Sequence, residues 1–237
     1  MINDTPLAGR LALVTGASRG IGAATAQALA AAGAHVILTA RTEGGLTEVE
    51  DAIHAAGGTA TIAPLDLTDG ESIDRLAQAL AGRWGKLDAL VLNAAMLGDL
   101  MPMPHMPPVQ FERIMALNVT ANWRLIRACD PLLKASDGAK VIAVTSSVGT
   151  KPRAYWGPYA ASKAALENLV DTYGQEVGNM FPVRTLVLDP GATRTAMRKS
   201  AFPGENPDTL KPPEAVANRI VELVTSGFDN GARVRVG

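Results

Sequence analysis

Short apolar runs alternate with helix-like stretches along almost the whole sequence, and this alternation restricts the possible folds more than any other feature. The apolar runs have the length and composition of buried strands, and they lie at residues 11–15, 35–40, 59–64, 89–93, 140–145, 184–188 and 233–236. The helical stretches between them lie at 20–32, 45–56, 70–83, 108–134, 158–179 and 213–226. Strands that alternate with helices form parallel sheets covered on both faces. The sequence therefore predicts an α/β fold with a doubly wound, seven-stranded parallel sheet.

Composition narrows the class of protein further. A chain of 237 residues with 47% hydrophobic content can bury one sizeable core, so we expect a single domain over residues 1–237. The net charge of −1 argues against nucleic acid as a partner. The single cysteine, Cys129, excludes an internal disulfide and suits a reducing, cytoplasmic location. Scattered histidines predict no metal, and we expect neither a membrane span nor a signal peptide, because no long apolar run occurs.

A glycine-rich turn joins the first predicted strand to the first predicted helix, where residues 15–22 read TGASRGIG. Glycines let the backbone approach a pyrophosphate, and a helix N-terminus offers free N–H groups and the positive end of its dipole. A tight strand-to-helix turn without a ligand is the alternative interpretation. The strand–turn–helix context favours a dinucleotide site. Its candidate residues are Gly16, Ser18, Arg19, Ile21 and Gly22.

A second motif, YAASK, places Tyr159 four residues before Lys163 in the predicted helix 158–179. Residues at this spacing share one face of a helix, about 6 Å apart along its axis. A nearby ammonium favours the phenolate, so we expect the tyrosine pKa to fall from about 10 toward neutrality. Packing beside a solvated amine is the alternative. Together with the glycine turn, the pair predicts an acid–base group.

The glycine turn has the spacing Gly-x3-Gly-x-Gly, and with the later YAASK it resembles the short-chain dehydrogenase/reductase family in its small single-domain form. The resemblance runs from about Arg10 to Gly237. Residues 191–198 together with Trp156 and Gly157 further resemble 3-oxoacyl-carrier-protein-reductase-like bacterial oxidoreductases of unassigned substrate. The resemblance implies a Rossmann fold and an oxidoreductase that uses a nicotinamide cofactor.

The resemblance also assigns the remaining catalytic residues. Ser146, thirteen residues before Tyr159, matches the family's catalytic serine, which holds the substrate oxygen; Ser147 is its neighbouring alternative. Asn118 matches a helix asparagine whose backbone carbonyl holds a water that leads to the lysine. Lys163 would bind the nicotinamide ribose, and Tyr159 would exchange a proton with the substrate.

The choice between the two nicotinamide cofactors can be argued from charge. An NAD site places an acidic residue at the end of the second strand, yet no Asp or Glu occurs between residues 5 and 42. Arg19 and Arg41 instead lie where a 2′-phosphate would be, and guanidinium groups bind phosphate well. Two solvated surface arginines are the alternative. The sequence predicts NADP.

Further cofactor contacts are implied by the family's pattern after the third, fourth and sixth strands. They are Asp66, Leu67, Asn93, Ala94, Pro190, Gly191, Thr193 and Thr195, besides Tyr159 and Lys163. Asp66 could instead belong to the start of a helix. Leu92 and Ala95 stand where the family more often has Asn and Gly, which leaves the detail of this loop open.

Segments 99–106, 152–158 and 197–213 are expected to border the substrate pocket. Their methionines could line an apolar pocket or pack as a rigid loop. Arg153 or Arg198 would add a basic group, which indicates a ketone, an aldehyde or a 3-oxoacyl substrate, or the corresponding alcohol. A nucleotide-sensing protein without catalysis and a sugar-nucleotide epimerase or dehydratase are the alternatives.

The resemblance finally implies a homodimer, or a homotetramer built from such dimers. In the family, helices that correspond to 109–133 and 159–179 pair across a two-fold axis. Here these stretches carry apolar residues that we expect on their exposed sides, namely Trp123, Ile126, Leu169 and Val170.

Overall fold

The computed structural model describes residues 5–237 and contains one parallel sheet of seven strands. The strands are β1 (Leu11–Thr15), β2 (His35–Thr39), β3 (Thr59–Ile62), β4 (Ala89–Leu92), β5 (Lys140–Val144), β6 (Arg184–Asp189) and β7 (Ala232–Arg235). Their order across the sheet is β3-β2-β1-β4-β5-β6-β7, and every neighbouring pair is parallel. The predicted fold class is confirmed, since all seven predicted strands form within two residues of the expected bounds.

Eight α-helices connect and follow these strands. They are α1 (Gly20–Ala31), α2 (Glu43–Ala55), α3 (Gly70–Trp84), α4 (Pro108–Met115), α5 (Ala121–Lys134), α6 (Gly157–Val177), α7 (Ala196–Ala201) and α8 (Pro213–Ser226). Within residues 5–237, none of them combines the length and the apolar character that crossing a membrane requires.

Two helical segments differ from the sequence-based prediction. The predicted helix 108–134 is α4 and α5 joined by a π-helical turn, Ala116–Thr120, which inserts an extra residue into the helical ladder. The short helix α7 was not predicted, because its six residues are too few to show a hydrophobic period. Thr195 caps it by accepting a hydrogen bond from the Arg198 backbone N–H at 3.1 Å.

The sheet carries a hydrophobic core on each face. Helices α3, α5 and α6 cover one face with residues such as Leu80, Leu125 and Leu166. Helices α1, α2 and α8 cover the other with residues such as Leu29 and Ile220. Because side chains alternate along a strand, each central strand supplies both cores and is fully buried.

Two of the four residues predicted on the exposed sides of α5 and α6 are in fact buried. Trp123 is 46% exposed, and Leu169 is half-buried. Ile126 and Val170, expected on the exposed sides, instead pack in the core between α5, α6 and the sheet. The apolar face that packs on the sheet is therefore wider than predicted, and the exposed apolar face of α5 and α6 is narrower.

The strand order reverses at β1, which lies between β2 and β4. Connections leave the carboxyl ends of β1 and β4 in opposite directions, and such a switch point opens a crevice that binds ligands in sheets of this kind. The carboxyl end of β1 leads into the glycine turn, and that of β4 leads to Asn93. The glycine turn and Asn93 therefore meet beyond the carboxyl ends of neighbouring strands.

Candidate active site

The glycine turn is packed so closely that two of its positions admit only glycine. Gly16 has φ +65°, a conformation that residues with a Cβ rarely adopt. A Cβ on Gly22 would lie 2.2 Å from the Gly16 carbonyl oxygen and 2.6 Å from Asn93 Nδ2. The start of α1 thus lies directly against the end of β1.

The N-terminus of α1 is open to an anion. Its N-cap residue, Arg19, makes no side-chain capping bond, and the first turn contains no acidic residue. The first-turn N–H groups lack intrahelical acceptors, and with the helix dipole they favour negative charge. A Cβ on Gly20 would lie 3.5 Å from the Thr195 methyl, so the loop after β6 borders this helix end.

Arg19 and Arg41 lie exposed beside the turn and after β2. Within the described chain, neither forms an ion pair or a side-chain hydrogen bond. Arg41 is close enough to Asp66 to contribute to a lowered pKa of that carboxyl, although the hydrogen bond from the Thr68 backbone contributes most. Both guanidinium groups therefore remain available to a phosphate.

After β3, the structure distinguishes the two candidate residues. Asp66 is exposed, and its Oδ1 accepts hydrogen bonds from the Thr68 N–H at 2.9 Å and the Thr68 hydroxyl at 2.8 Å. The N-cap of α3 is Asp69 and not Asp66, and Asp66 closes the turn that leads into this helix. The Leu67 side chain is buried in the core, so only its backbone can contact a ligand.

Asn93 ties β4 to β1. Its Nδ2 donates to the Thr15 carbonyl at 2.8 Å, and Thr15 Oγ1 accepts from the N–H groups of Asn93 at 2.9 Å and Ala94 at 3.0 Å. Leu92 is buried in the strand, whereas Ala95 is half-buried in the loop that follows. These bonds fix the floor of the crevice at the switch point.

Tyr159 and Lys163 are both buried on the same face of α6, at 6% and 2% exposure. Lys163 Nζ lies 5.7 Å from the centre of the Tyr159 ring and donates to the Val144 carbonyl at 2.8 Å. Burial lowers the pKa of the Lys163 ammonium to about 8, and the negative charge of Glu167 opposes this shift. The pair adjoins the end of β5.

The predicted direction of the tyrosine shift is wrong for the protein alone. Burial raises the pKa of Tyr159 above its ordinary value, and the negative charge of Asp189 adds to the rise. The lysine does not reverse this, because its ammonium is directed to the Val144 carbonyl. The phenol is therefore protonated at neutral pH and can donate a proton.

Ser146 follows β5 with extended backbone and is half-buried, two residues beyond the carbonyl that Lys163 binds. Ser147 begins a short 3-10 turn, Ser147–Gly149, and its carbonyl accepts hydrogen bonds from Thr150 and Lys151, which follow this turn. The strand end thus brings Ser146 toward the crevice.

Asn118 is fully buried in the π-helical turn, whereas an ordinary helix interior had been expected. Its side chain bonds both backbone groups of Met96, at 2.8 and 2.9 Å, and donates to Ser162 Oγ at 3.0 Å. Its backbone carbonyl, the expected water site, accepts a hydrogen bond from Asn122 Nδ2 at 2.8 Å. Asn118 therefore joins the loop after β4 to α6.

The loop after β6 turns back toward α1. Gly191 has φ +62°, and its N–H donates to Asp189 at 2.9 Å. Thr193 is buried and donates to the Pro190 carbonyl at 3.0 Å. With Thr195 beside Gly20, the predicted residues of this loop border the crevice.

An aromatic wall lies beside Tyr159. The Trp156 ring meets Tyr159 edge-on at 5.9 Å and Phe202 at 5.7 Å between ring centres. Tyr159 Oη lies 3.8 Å from Met197 Sδ. Aromatic and methionine side chains therefore form this side of the site.

Of the two arginines at this wall, Arg198 is engaged by both oxygens of Glu205, at 2.6 and 2.5 Å. Arg153 stacks over Trp156 and Phe202 and, among residues 5–237, forms no ion pair. Met103 packs against Gly157 at the start of α6, so the methionine-rich segment borders the same region.

Sequence reasoning missed a polar group beneath the site, formed by Thr145, Glu167 and Arg233. Thr145 Oγ1 donates to Glu167 Oε1 at 2.5 Å, and Arg233 donates to Oε2 at 2.5 Å. The position of Glu167, four residues after Lys163, was the available signal.

Comparisons with known proteins agree with this architecture. A family model described as short chain dehydrogenase matches residues 10–206. The oxidoreductase YciK of Escherichia coli (strain K12) is 41% identical over 216 residues, which are 90% of this chain and 83% of YciK. The 3-oxoacyl-[acyl-carrier-protein] reductase FabG of Escherichia coli (strain K12) is 34% identical over 192 residues, 81% of this chain and 77% of FabG.

A solved structure of a protein described as a short chain dehydrogenase, from Escherichia coli CFT073 and complexed with NADPH, superposes with a TM-score of 0.93 at 37% identity. The superposition covers 100% of this chain and 99% of the chain in the solved structure. The family model spans most of the sequence, and the fold agrees over its full length. The chain therefore belongs to the short-chain dehydrogenase family of oxidoreductases.

Proposed function

We propose that this protein is an NADP-dependent carbonyl reductase or alcohol dehydrogenase in which Tyr159 is the acid–base residue. The observation that carries the proposal is the burial of Tyr159 and Lys163 together, next to the strand end that bears Ser146. Burying the Lys163 ammonium costs free energy and lowers its pKa. Perturbed groups of this kind cluster at functional sites, which favours a catalytic role for the pair over a purely structural one.

The residues at the switch point fit a dinucleotide. Gly16 and Gly22 let the turn pack directly against the ends of β1 and β4, and the open N-terminus of α1 suits the charge of a pyrophosphate. Arg19 and Arg41 favour NADP over NAD, because they can bind the 2′-phosphate and no acidic residue occurs between residues 5 and 42, a span that includes the end of β2. The NADPH bound by the related structure supports this choice.

In the proposed reaction, the cofactor supplies the hydride, and the chain positions the substrate and moves a proton. Tyr159 donates its phenolic proton to the carbonyl oxygen, and the raised pKa keeps that proton in place until charge develops there. Ser146 donates a hydrogen bond to the same oxygen. Lys163 would hold the nicotinamide ribose, while Asn118 fixes the adjoining loop to α6.

The apolar wall formed by Trp156, Phe202 and Met197 supports a hydrophobic carbonyl substrate, and Arg153 beside it supports one with an acidic or acyl-thioester portion. The name of the relative FabG agrees with the 3-oxoacyl class. We therefore place 3-oxoacyl compounds, ketones and aldehydes with apolar chains first among the substrates.

The experiment that tests this function follows NADPH oxidation by absorbance against a panel of 3-oxoacyl thioesters, aliphatic ketones and aldehydes, with NADH in parallel. We expect turnover with NADPH on at least one apolar carbonyl. Tight NADPH binding without reduction of any carbonyl of the panel would instead favour the nucleotide-sensing alternative.

A further inference from the structure

One turn beyond Lys163, α6 carries a buried carboxylate to which the proposed reaction gives no role. Glu167 is 4% exposed, and both its oxygens are hydrogen-bonded to side chains. A Cβ on Gly149 would lie 2.4 Å from Glu167 Oε1, so the loop after β5 also closes over it. A buried carboxylate is costly unless it is paired, and this one has hydrogen-bond partners from two parts of the fold, the end of β5 and strand β7.

The hydrogen bonds of Glu167 connect it to the strand end that serves the site. Its Oε1 accepts from Thr145, which stands between Val144 and Ser146. Val144 provides the carbonyl that Lys163 Nζ binds at 2.8 Å. Thus one carboxylate fixes the segment that holds the lysine and presents the serine.

Arg233 of β7 completes the cluster from the edge of the sheet. Its guanidinium donates to Glu167 Oε2 at 2.5 Å and to Asp171, which lies one further turn along α6. Arg233 is about half exposed, while Glu167 is buried, so the arginine offsets part of the carboxylate charge from the solvent side.

The charges around Lys163 show what Glu167 can do. Lys163 forms no hydrogen bond to a carboxylate among the described residues, and the charge of Glu167 acts on it through space. Other ionisable groups on the elements packed here include Tyr159, Asp171, Tyr173 and Glu176 on α6, Lys140 on β5, Arg184 and Asp189 on β6, Arg233 and Arg235 on β7 and, farther along α5, Asp130. Of these carboxylates, Glu167 alone is both buried and one helical turn from Lys163.

We propose that Glu167, braced by Arg233, is a positioning residue that keeps Lys163 charged at working pH and holds the Val144–Ser146 strand end in place. The proposal rests on the proposed function, because it assigns the roles of Lys163 and Ser146. Glu167 acts through these groups and not on the substrate.

The test compares the variants Glu167→Gln and Arg233→Gln with a matched control, Asp171→Asn, which removes a carboxylate from the same helix and the same arginine. Two pH profiles are recorded for each protein, namely kcat/KM with NADPH and the best carbonyl of the panel, and the Kd of NADPH measured by fluorescence. The second profile reports on Lys163 even if no carbonyl is reduced.

Loss of the Glu167 charge should move the alkaline limb of both profiles to lower pH by about one unit, because the Lys163 ammonium loses its nearest anion. Arg233→Gln should move the limb to higher pH. Without the positive charge of Arg233 beside it, the Glu167 carboxylate stabilises the Lys163 ammonium more strongly. The control should leave the limb in place. Opposite signs in the two variants are not expected from a loss of packing.

Equal shifts in Glu167→Gln and the control, or activity reduced by one factor at every pH, would overturn the proposal. If Glu167→Gln does not fold, Arg233→Gln decides alone, and an unmoved limb there counts against the proposal. A wild-type protein that reduces no carbonyl would contradict the proposed function, whereas an unshifted binding profile would contradict only the role of Glu167.

Discussion

Lys163 carries an ammonium in a place that water does not reach, and this has a consequence for stability. Its pKa is about 8 in the folded protein and 10.5 in the unfolded chain, so the unfolded state binds more protons between these values. The free energy of unfolding contributed by this group therefore rises with pH through that window and is fully depressed below it.

We predict that the stability of Lys163→Met relative to wild type is greater at pH 7 than at pH 10.5 by about 3 kcal/mol, the free energy of such a shift. The lost bond to the Val144 carbonyl adds an offset that does not vary with pH. Urea unfolding at several pH values measures this difference. Lys199→Met, at an exposed lysine of α7, serves as the control. If the difference in unfolding free energy from wild type does not change with pH for either variant, the lowered pKa of Lys163 is contradicted.

Arg41 gives a second prediction at the scale of one residue. Arg41→Ala should weaken NADPH binding about ten- to a hundredfold and leave NADH binding unchanged, because only NADPH carries the 2′-phosphate. Isothermal titration of both cofactors provides the measurement. Arg83→Ala is the control, since Arg83 stacks on Trp84, which contacts His35 at the amino end of β2, whereas Arg41 follows the carboxyl end. Equal losses for both cofactors would show that Arg41 does not bind this phosphate.

At this scale, the sequence revealed what lies close along the chain. Tyr159 and Lys163 could be paired because a helix fixes their spacing. Glu167 could not be distinguished from a surface carboxylate, since its partners Thr145 and Arg233 are 22 and 66 residues away. The direction of the Tyr159 shift was missed for a related reason, because spacing gives neighbours but not the depth of burial.

Among the helices and strands, the start of α1 packs very closely on the end of β1, at Gly22. Gly22→Ala should cost about 1–3 kcal/mol of stability and abolish NADPH binding, because the methyl would meet backbone atoms at 2.2 Å that cannot move aside. Gly44→Ala in α2 is the matched control, since nothing lies within 4 Å of its Cβ and alanine favours a helix. Thermal unfolding and NADPH titration of both variants check this. Intact binding by Gly22→Ala would contradict the packing of the turn.

Strands and long helices could be predicted because their apolar periods repeat over many residues. The π-helical turn around Asn118 could not, since one inserted residue leaves the apolar period of 108–134 almost unchanged. Its cause is visible only in three dimensions, where the Asn118 side chain bonds Met96 and Ser162.

For the whole molecule, we predict a homodimer, or a tetramer of such dimers, formed through α5 and α6. Trp123 is the large apolar side chain left exposed on α5, so Trp123→Glu should shift the mass found by light scattering toward the monomer. Met180→Glu, at an exposed apolar residue beyond the end of α6, should not. A monomeric wild-type protein at micromolar concentration would contradict the predicted assembly.

The central claim is that the protein delivers a hydride from NADPH to a carbonyl carbon while Tyr159 supplies the proton. Mass spectrometry of the product made with NADPH deuterated at both positions of nicotinamide C4 tests this most directly, in wild type, Tyr159→Phe and the control Tyr173→Phe, which alters another buried tyrosine of α6. We expect deuterium on the alcohol carbon, wild-type rates in the control, and a rate at least about 10²-fold lower in Tyr159→Phe with NADPH affinity unchanged. An alcohol without deuterium, or a Tyr159→Phe variant as fast as wild type, would contradict the account.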